Sequence, residues 1–386
     1  MITQSNFMQN QNPKIKEQPD ANPKSVIRLG YVGGGFLAQH AHLPNFSSLP
    51  DCHLVAIAER RPQLAARVAQ RFGVSTVYSD HLQLGQNPDI DAVAVSADYA
   101  GQGAIAADLL RAGKHVFMEK PMAVSLRQAE RILDAERKGK ARLMVGYMKR
   151  YDPGNRLVRD MVRAWRNDPA KGKLLYVRSH GFCGNWIAGL DTSDFIRSDE
   201  PLTSTAIDEL LPPWLPKEFQ KGYIAYLQQY THQVNLLRFF LDARDEEDVR
   251  VQGVALDEDG YTGVVILEVK QTRCVIESAS TRFHGWDEHT QIFFEGGWIR
   301  SAPALLFARP SVNEIEVYEA GEQGGYHYPT APVSKSWHYQ DEVKHFLQCL
   351  RDGTEFDSPG KDSLLDVGIF ETIYQQFIQT VKGRTV

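Results

Sequence analysis

The chain has little that would take it out of solution or tie it together covalently. No apolar stretch reaches the roughly 18 residues that a membrane helix needs, and the N-terminus lacks the basic-then-apolar order of a secretory leader. Four cysteines, Cys52, Cys183, Cys274 and Cys349, are scattered over 386 residues with no Cys-x-x-Cys pair. That excludes a disulfide framework and gives no reason to expect a zinc site or any other metal. Basic residues are not in excess: the formal charge is -5, with both signs interspersed, so no face is marked for nucleic acid or for an anionic membrane. A cytoplasmic protein is expected. The length exceeds what one core usually supports, so two domains are expected as well.

Residues 1–24 are rich in Gln, Asn, Lys and Pro and carry few apolar positions; such a segment cannot offset its ordering entropy and reads as a mobile tail. From residue 25 to about 148 short apolar runs alternate with helical periodicity. Strands are predicted at Val26–Val32, Leu54–Ala58, Ala92–Val95, His115–Met118 and Arg142–Val145, and helices at Phe36–Phe46, Pro62–Phe72, Gly103–Arg111 and Leu126–Arg137. Repeated strand-helix units mean a doubly wound parallel sheet. After Asp152-Pro153-Gly154 the pattern changes. A helix at Asn155–Trp165 is followed by strand-like runs at Lys173–Phe182, Val249–Leu256, Tyr261–Val269, Cys274–Ser280 and Gln291–Phe294, with helices near Tyr223–Leu241, Tyr339–Arg351 and Leu364–Val381. Residues 149–386 are therefore expected to form an α/β domain on a large, mostly antiparallel open sheet.

Two motifs carry chemistry. The first strand runs into Gly33-Gly34-Gly35-Phe36-Leu37-Ala38, which fits G-x-G-x-x-G/A. Gly33 permits the tight turn, Gly35 lets backbone approach a pyrophosphate, and Ala38 allows close helix packing. Glu59 closes the second strand, where an acid binds the adenosine ribose hydroxyls and favours NAD over NADP; Arg60 and Arg61 beside it blur that preference. In the second motif, Gly113 ends a helix, a short strand follows, and Glu119-Lys120-Pro121 lies at its carboxyl end. Ligands of doubly wound sheets bind there, so Lys120 stands where nicotinamide and substrate would meet.

On Arg28–His40, Glu59, Gly113–Pro121 and Gly146–Pro153, and more weakly on Tyr230–Arg238, the chain resembles the glucose–fructose oxidoreductase / inositol dehydrogenase (Gfo/Idh/MocA) family over about residues 26–385. The resemblance implies a Rossmann fold followed by a substrate-binding α/β domain. It implies a lysine, here Lys120, touching both nicotinamide and substrate, and a cis Lys120-Pro121 peptide. It implies basic residues lining the cleft at Lys149 and Arg150, and a homodimer or homotetramer formed through the open sheet. Relatives carry D-x-x-x-H on one helix face; here His232 takes the histidine place and Gln228 the aspartate place. An amide orients a hydroxyl but takes no proton at neutral pH, so His232 is the expected base, with Tyr230, Tyr226 or Asp208 as alternatives. Gln102 stands where relatives often have histidine.

The expected cofactor set is Gly33, Gly35, Phe36, Leu37, Glu59, Arg60, Ser96, Gln102, Glu119 and Lys120; the expected catalytic pair is Lys120 and His232. Lys149, Arg150, Gln228 and Tyr230 are the expected substrate contacts. The activity implied is hydride transfer between NAD, less so NADP, and a secondary alcohol or ketone of a sugar, sugar derivative or cyclitol. NAD-assisted glycoside cleavage and a non-catalytic NAD-binding role are the alternatives. The long stretch from Gly181 to Tyr223, with Trp186, Trp214, Pro212, Pro213 and Pro216, reads as a lid on the cleft or as cover for an interface; Trp286 and Trp298 read as core or interface.

Overall fold

The computed structural model describes residues 26–99, 101–202, 210–310, 313–322, 324–329 and 336–384. The expected tail over 1–24 and the alternative base Asp208 lie outside these residues.

The first sheet holds β1 (Ile27–Val32), β2 (Cys52–Ala58), β3 (Thr76–Tyr78), β4 (Ala92–Val95), β5 (His115–Glu119) and β6 (Leu143–Gly146). They run parallel in the order β3-β2-β1-β4-β5-β6. The crossovers are α1 (Leu43–Ser48), α2 (Pro62–Phe72), α3 (His81–Gln86), α4 (Gln102–Arg111) and α5 (Leu126–Gly139). β4 is Ala-Val-Ala-Val with every side chain buried, as expected for a strand covered by helices on both faces. Strand order reverses between β1 and β4, so a crevice opens at their carboxyl ends. α2 starts at Pro62, whose missing N–H costs nothing there, and stops at Gly73 in the left-handed region (φ +67°).

Two local departures from the expectation matter. β3 and α3 were not foreseen: the strand is three residues long and the helix contains Gly85, too little for a periodic signal. The expected helix Phe36–Phe46 is present as an unbroken helical stretch over 36–48, but its Ala38–His42 portion, leading into α1, is π-wound. The wider winding is typical of functional sites, and both His40 and His42 on this segment are buried.

The second half begins with α6 (Pro153–Arg166), β7 (Leu174–Cys183) and α7 (Lys217–Leu241). Then come β8 (Val249–Leu256), β9 (Gly263–Val269), β10 (Thr272–Ser280), β11 (Asp287–Phe294), β12 (Gly297–Ala302), β13 (Glu314–Gly321) and β14 (Gly324–Pro329), closed by α8 (His338–Asp352) and α9 (Gly360–Arg384). The sheet order is β14-β13-β12-β11-β7-β10-β9-β8, antiparallel except where β7 meets β10. β12, β13 and β14 had no predicted counterpart; β14 is Gly-Gly-Tyr-His-Tyr-Pro, and β12 starts at Gly297. α7 and α9 cover one face, where Tyr226, Tyr230, Phe370 and Tyr374 join Val265, Ile276 and Ile292 in one apolar core.

α8 does not stay with this sheet. Its Val343, Phe346 and Leu347 pack with Phe46 of α1 and with Phe117 and Met144 of the first sheet. A buried ionic network also fixes α7 to α9 and to the segment just after β6. Arg238 of α7, 1% exposed, bonds Asp362 and Asp366 of α9 at 2.7 Å each. Arg150 bonds Asp362 at 2.7 Å and Asn235 at 2.5 Å, and Asn235 donates to Asp366 at 2.7 Å. Breaking such a network leaves buried carboxylates uncompensated. Arg238→Met is expected to lose about 3–5 kcal/mol of stability, read as a lower urea midpoint at unchanged slope.

Candidate active site

The glycine loop follows directly from β1. Gly33 has φ +104°, and a Cβ on it would lie 2.2 Å from the Ser96 carbonyl oxygen, so only glycine fits. A Cβ on Gly35 would meet nothing within 4 Å: it would project into the open cradle where a pyrophosphate approaches backbone. The residues thus fit a dinucleotide. A cavity of about 490 Å³ runs from Arg60, Ser79 and His81, past the loop, to Lys120, Gln228, His232 and Trp286.

At one end, Glu59 is buried and accepts four hydrogen bonds: from Gly34 N–H (2.7 Å), Arg61 N–H (3.1 Å), and Arg61 Nε and Nη2 (2.9 Å each). Burial alone would raise its carboxyl, but the Arg61 guanidinium and the two backbone N–H groups hold it below the usual value. Arg60 is half exposed with Asp98 3.7 Å away. Ser96 Oγ shares a 2.7 Å hydrogen bond with Tyr31 Oη. Leu37 lines the cleft, as does Phe36, whose ring meets those of Trp186, Phe195 and Phe307 edge-on.

At the other end the Lys120-Pro121 peptide is cis. The Gln102 side-chain amide donates to the carbonyls of Glu119 (3.1 Å) and Pro121 (2.7 Å), straddling that turn. Glu119 turns into the core, with Oε1 on His42 Nε2 at 2.7 Å and Oε2 on the Lys120 N–H at 3.1 Å. Lys120 Nζ therefore faces the cleft and donates to the Gln228 carbonyl oxygen at 3.2 Å; among the described residues no carboxylate pairs with it. Burial lowers its pKa, Glu119 opposes that, and Lys149 adds to it. Gln228 lies one turn before His232 on α7. His232 is 3% exposed, and its Nδ1 has no partner among the described residues. Burial, then the charges of Lys120 and Lys149, drive its pKa well below that of a free histidine, so the ring is neutral.

The expected substrate residues separate into two groups. Gln228 lines the cavity. Lys149, Arg150 and Tyr230 do not line it. Lys149 is ion-paired with Glu288 and lies 5.3 Å from the centre of the Trp286 ring, which lines the cavity, so it borders the site through that ring. Arg150 belongs to the ionic network beneath. Tyr230 Oη donates to Gly181 O at 2.9 Å and accepts from Ala279 N–H at 2.9 Å, so it has no free proton to exchange. Tyr226 also misses the cavity.

Sequence reading missed His42, Glu342 and Tyr339. His42 sits on the π-wound segment, whose register a regular helix would misplace. Glu342 lies on α8, in the half of the chain assigned to the other sheet. His42, Glu119 and Glu342 offer ligand atoms within 4.8 Å of one another. Burial and then Glu119 raise the Glu342 carboxyl far above its usual value, so it keeps its proton.

A glycine cradle at a switch point, joined by one cleft to an amine and a neutral imidazole, defines a dinucleotide-dependent oxidoreductase of the Rossmann type. Residues 27–147 match the model of the oxidoreductase family with an NAD-binding Rossmann fold. The myo-inositol 2-dehydrogenase of Thermotoga maritima is 25% identical over 346 residues, 87% of this chain and 92% of its own. The inositol 2-dehydrogenase of Rhizobium meliloti is 28% identical over 354 residues, 88% and 93%. A 3-ketoreductase from Actinomadura kijaniata, solved with TDP-benzene and NADP, superposes with a TM-score of 0.68 at 19% identity over 91% of this chain and 97% of its own. The family likeness covers the Rossmann part, residues 27–147, and the two inositol dehydrogenases extend the similarity over most of the chain.

The two glycines predict opposite failures. Gly33→Ala should lose stability, about 1–3 kcal/mol of backbone strain plus the clash with Ser96. Gly35→Val should melt near the unaltered protein but bind dinucleotide about tenfold more weakly or worse, since only the cradle is filled. Paired thermal melts and dinucleotide titrations check both.

Proposed function

We propose that the protein transfers a hydride between NAD and a secondary alcohol or ketone carried by a cyclitol, a sugar or a sugar derivative. The observation that carries this reading is the meeting of Lys120, from the end of β5, with His232, from α7, in the cleft that the glycine loop opens. NAD supplies the hydride acceptor or donor. Gly33 and Gly35 would admit its pyrophosphate and Glu59 would hold the adenosine ribose, while Gln102 holds the turn that presents Lys120. In oxidation the neutral His232 accepts the hydroxyl proton while the Lys120 ammonium donates a hydrogen bond to the same oxygen, stabilising its growing negative charge. In reduction the hydride and the single proton move the other way: the carbonyl carbon takes the hydride and its oxygen takes the proton back from His232. Gln228 orients a neighbouring hydroxyl, and Trp186 and Trp286 offer aromatic walls to the ring faces. Inositol dehydrogenases and a nucleotide-sugar ketoreductase among the relatives support a polyhydroxylated substrate. The uncovered side of the second sheet carries Tyr176, Phe293, Trp298 and Tyr318 only partly buried, which supports a homodimer or homotetramer built on that face.

The test is a panel of inositols and sugars with NAD+, followed at the NADH absorbance band. Lys120→Met and His232→Asn should each lower kcat by about 10²–10⁴-fold while NAD+ still binds. The pH profile for oxidation should be flat through neutrality. Its acid limb should lie below the ordinary histidine value of 6.5, because His232 stays neutral further down. Its alkaline limb should fall before the ordinary lysine value of 10.5, because Lys120 loses its proton early. His232→Asn should abolish the acid limb. Full activity in both variants would rule the pair out.

A further inference from the structure

After β7 the chain does not go straight to α7. Residues 184–202 travel back across the mouth of the cleft onto the first sheet's helices. Trp186 and Leu202 line the cavity. Between them the segment is pinned at four places. The Gln39 side chain bonds both the N–H (2.9 Å) and the carbonyl (3.0 Å) of Ile196. Arg71 binds Asp194, reaching its carbonyl at 2.6 Å. Arg67 reaches the Arg197 carbonyl at 3.3 Å. Glu200 accepts from the backbone N–H groups of Gln63 and Leu64 at 3.0 Å each, with Ser198 Oγ donating to it at 2.8 Å.

The last contact has a chemical meaning. NAD and NADP differ only by a phosphate on the adenosine 2′-oxygen, which falls at the carboxyl end of β2 beside Glu59. A phosphate there would need free N–H groups at a helix start and an arginine fork. The helix start at hand is that of α2. Pro62 has no N–H, so Gln63 and Leu64 supply the first donors, and Glu200 holds both. The nearer fork, Arg61, is held on two sides by Glu59. Arg60 lies 3.7 Å from Asp98.

We propose that Glu200 stands in for the 2′-phosphate, so that this segment both straps the cofactor cleft and excludes NADP from it. The inference rests on the dinucleotide reading above and adds a specificity residue that lies far from the glycine motif in sequence. A phosphate arriving at this place would displace one carboxylate and face a second, Glu59, across Arg61.

The experiment is calorimetric titration of the full chain and of Glu200→Ala and Glu200→Gln with NAD+ and with NADP+. The unaltered protein should prefer NAD+. Glu200→Ala should tighten NADP+ about tenfold or more, equivalent to about 1.4 kcal/mol, and leave NAD+ within about threefold. Glu200→Gln should shift in the same direction by less, because an amide still fills the space but lacks the charge. An unchanged NADP+/NAD+ ratio in both variants, with NAD+ still bound, would overturn the role of Glu200 alone. Equal affinity for both dinucleotides in the unaltered protein would do the same. No binding of either dinucleotide to the unaltered protein would overturn the dinucleotide reading and this inference with it.

Discussion

The arrangement depends on holding an ammonium group in a cleft floor without giving it a counter-ion. A buried lysine normally finds a carboxylate or gives up its proton. Lys120 has a carboxylate as its chain neighbour, yet Glu119 is occupied elsewhere: His42 takes one oxygen and the Lys120 backbone N–H the other. The amine is left with one carbonyl, that of Gln228. It can therefore donate to a substrate oxygen without first breaking an ion pair. The cost is a lowered pKa and a strongly positive local field, and that same field helps to keep His232 deprotonated. The amine and the imidazole are thus tuned by one cause, their closeness in a space of low polarisability.

That closeness has to be maintained between groups from different halves of the chain, and the packing supplies the means. α8 leaves its own sheet to complete the first sheet's core. The Arg238–Asp362–Arg150–Asn235–Asp366 network fixes α7, which carries His232, to α9 and to the segment just after β6. Buried ion networks are poor sources of net stability but costly to distort. Such rigidity is what two groups working on one oxygen require.

The parallel sheet was legible because short buried strands and punctuated helices repeat, and the glycine loop and Glu119-Lys120-Pro121 fall at strand ends where a doubly wound sheet binds ligands. The structure puts Gly33, Gly35, Glu59, Lys120 and His232 on one cavity. Arg150 and Tyr230 were misassigned because position after a motif does not show which way a side chain turns; both are consumed by bonds within the second half. β12 to β14 escaped because glycines and charges interrupt their alternation. His42 escaped because a π-wound turn adds a residue that no 3.6-residue pattern contains. The contacts of residues 184–202 with α2 link positions more than a hundred apart in sequence, and local composition holds no trace of such pairing.

The cleft is also polarised along its length. At the end proposed for the adenosine, Glu59 holds Arg61 and Glu200 occupies the first N–H donors of α2. At the other end Lys120 and His232 face the space with no carboxylate bonded to either among the described residues, and Lys149 is satisfied by Glu288. Glu342 keeps its proton, which withholds a further negative charge from beneath the turn that presents Lys120. An anionic group brought to the adenosine end meets carboxylates; an oxygen gaining negative charge at the other end meets an N–H donor and a base already free of its proton. On the proposed reading, dinucleotide binding at one end and hydride transfer at the other draw on opposite fields, and the glycine loop lies between them.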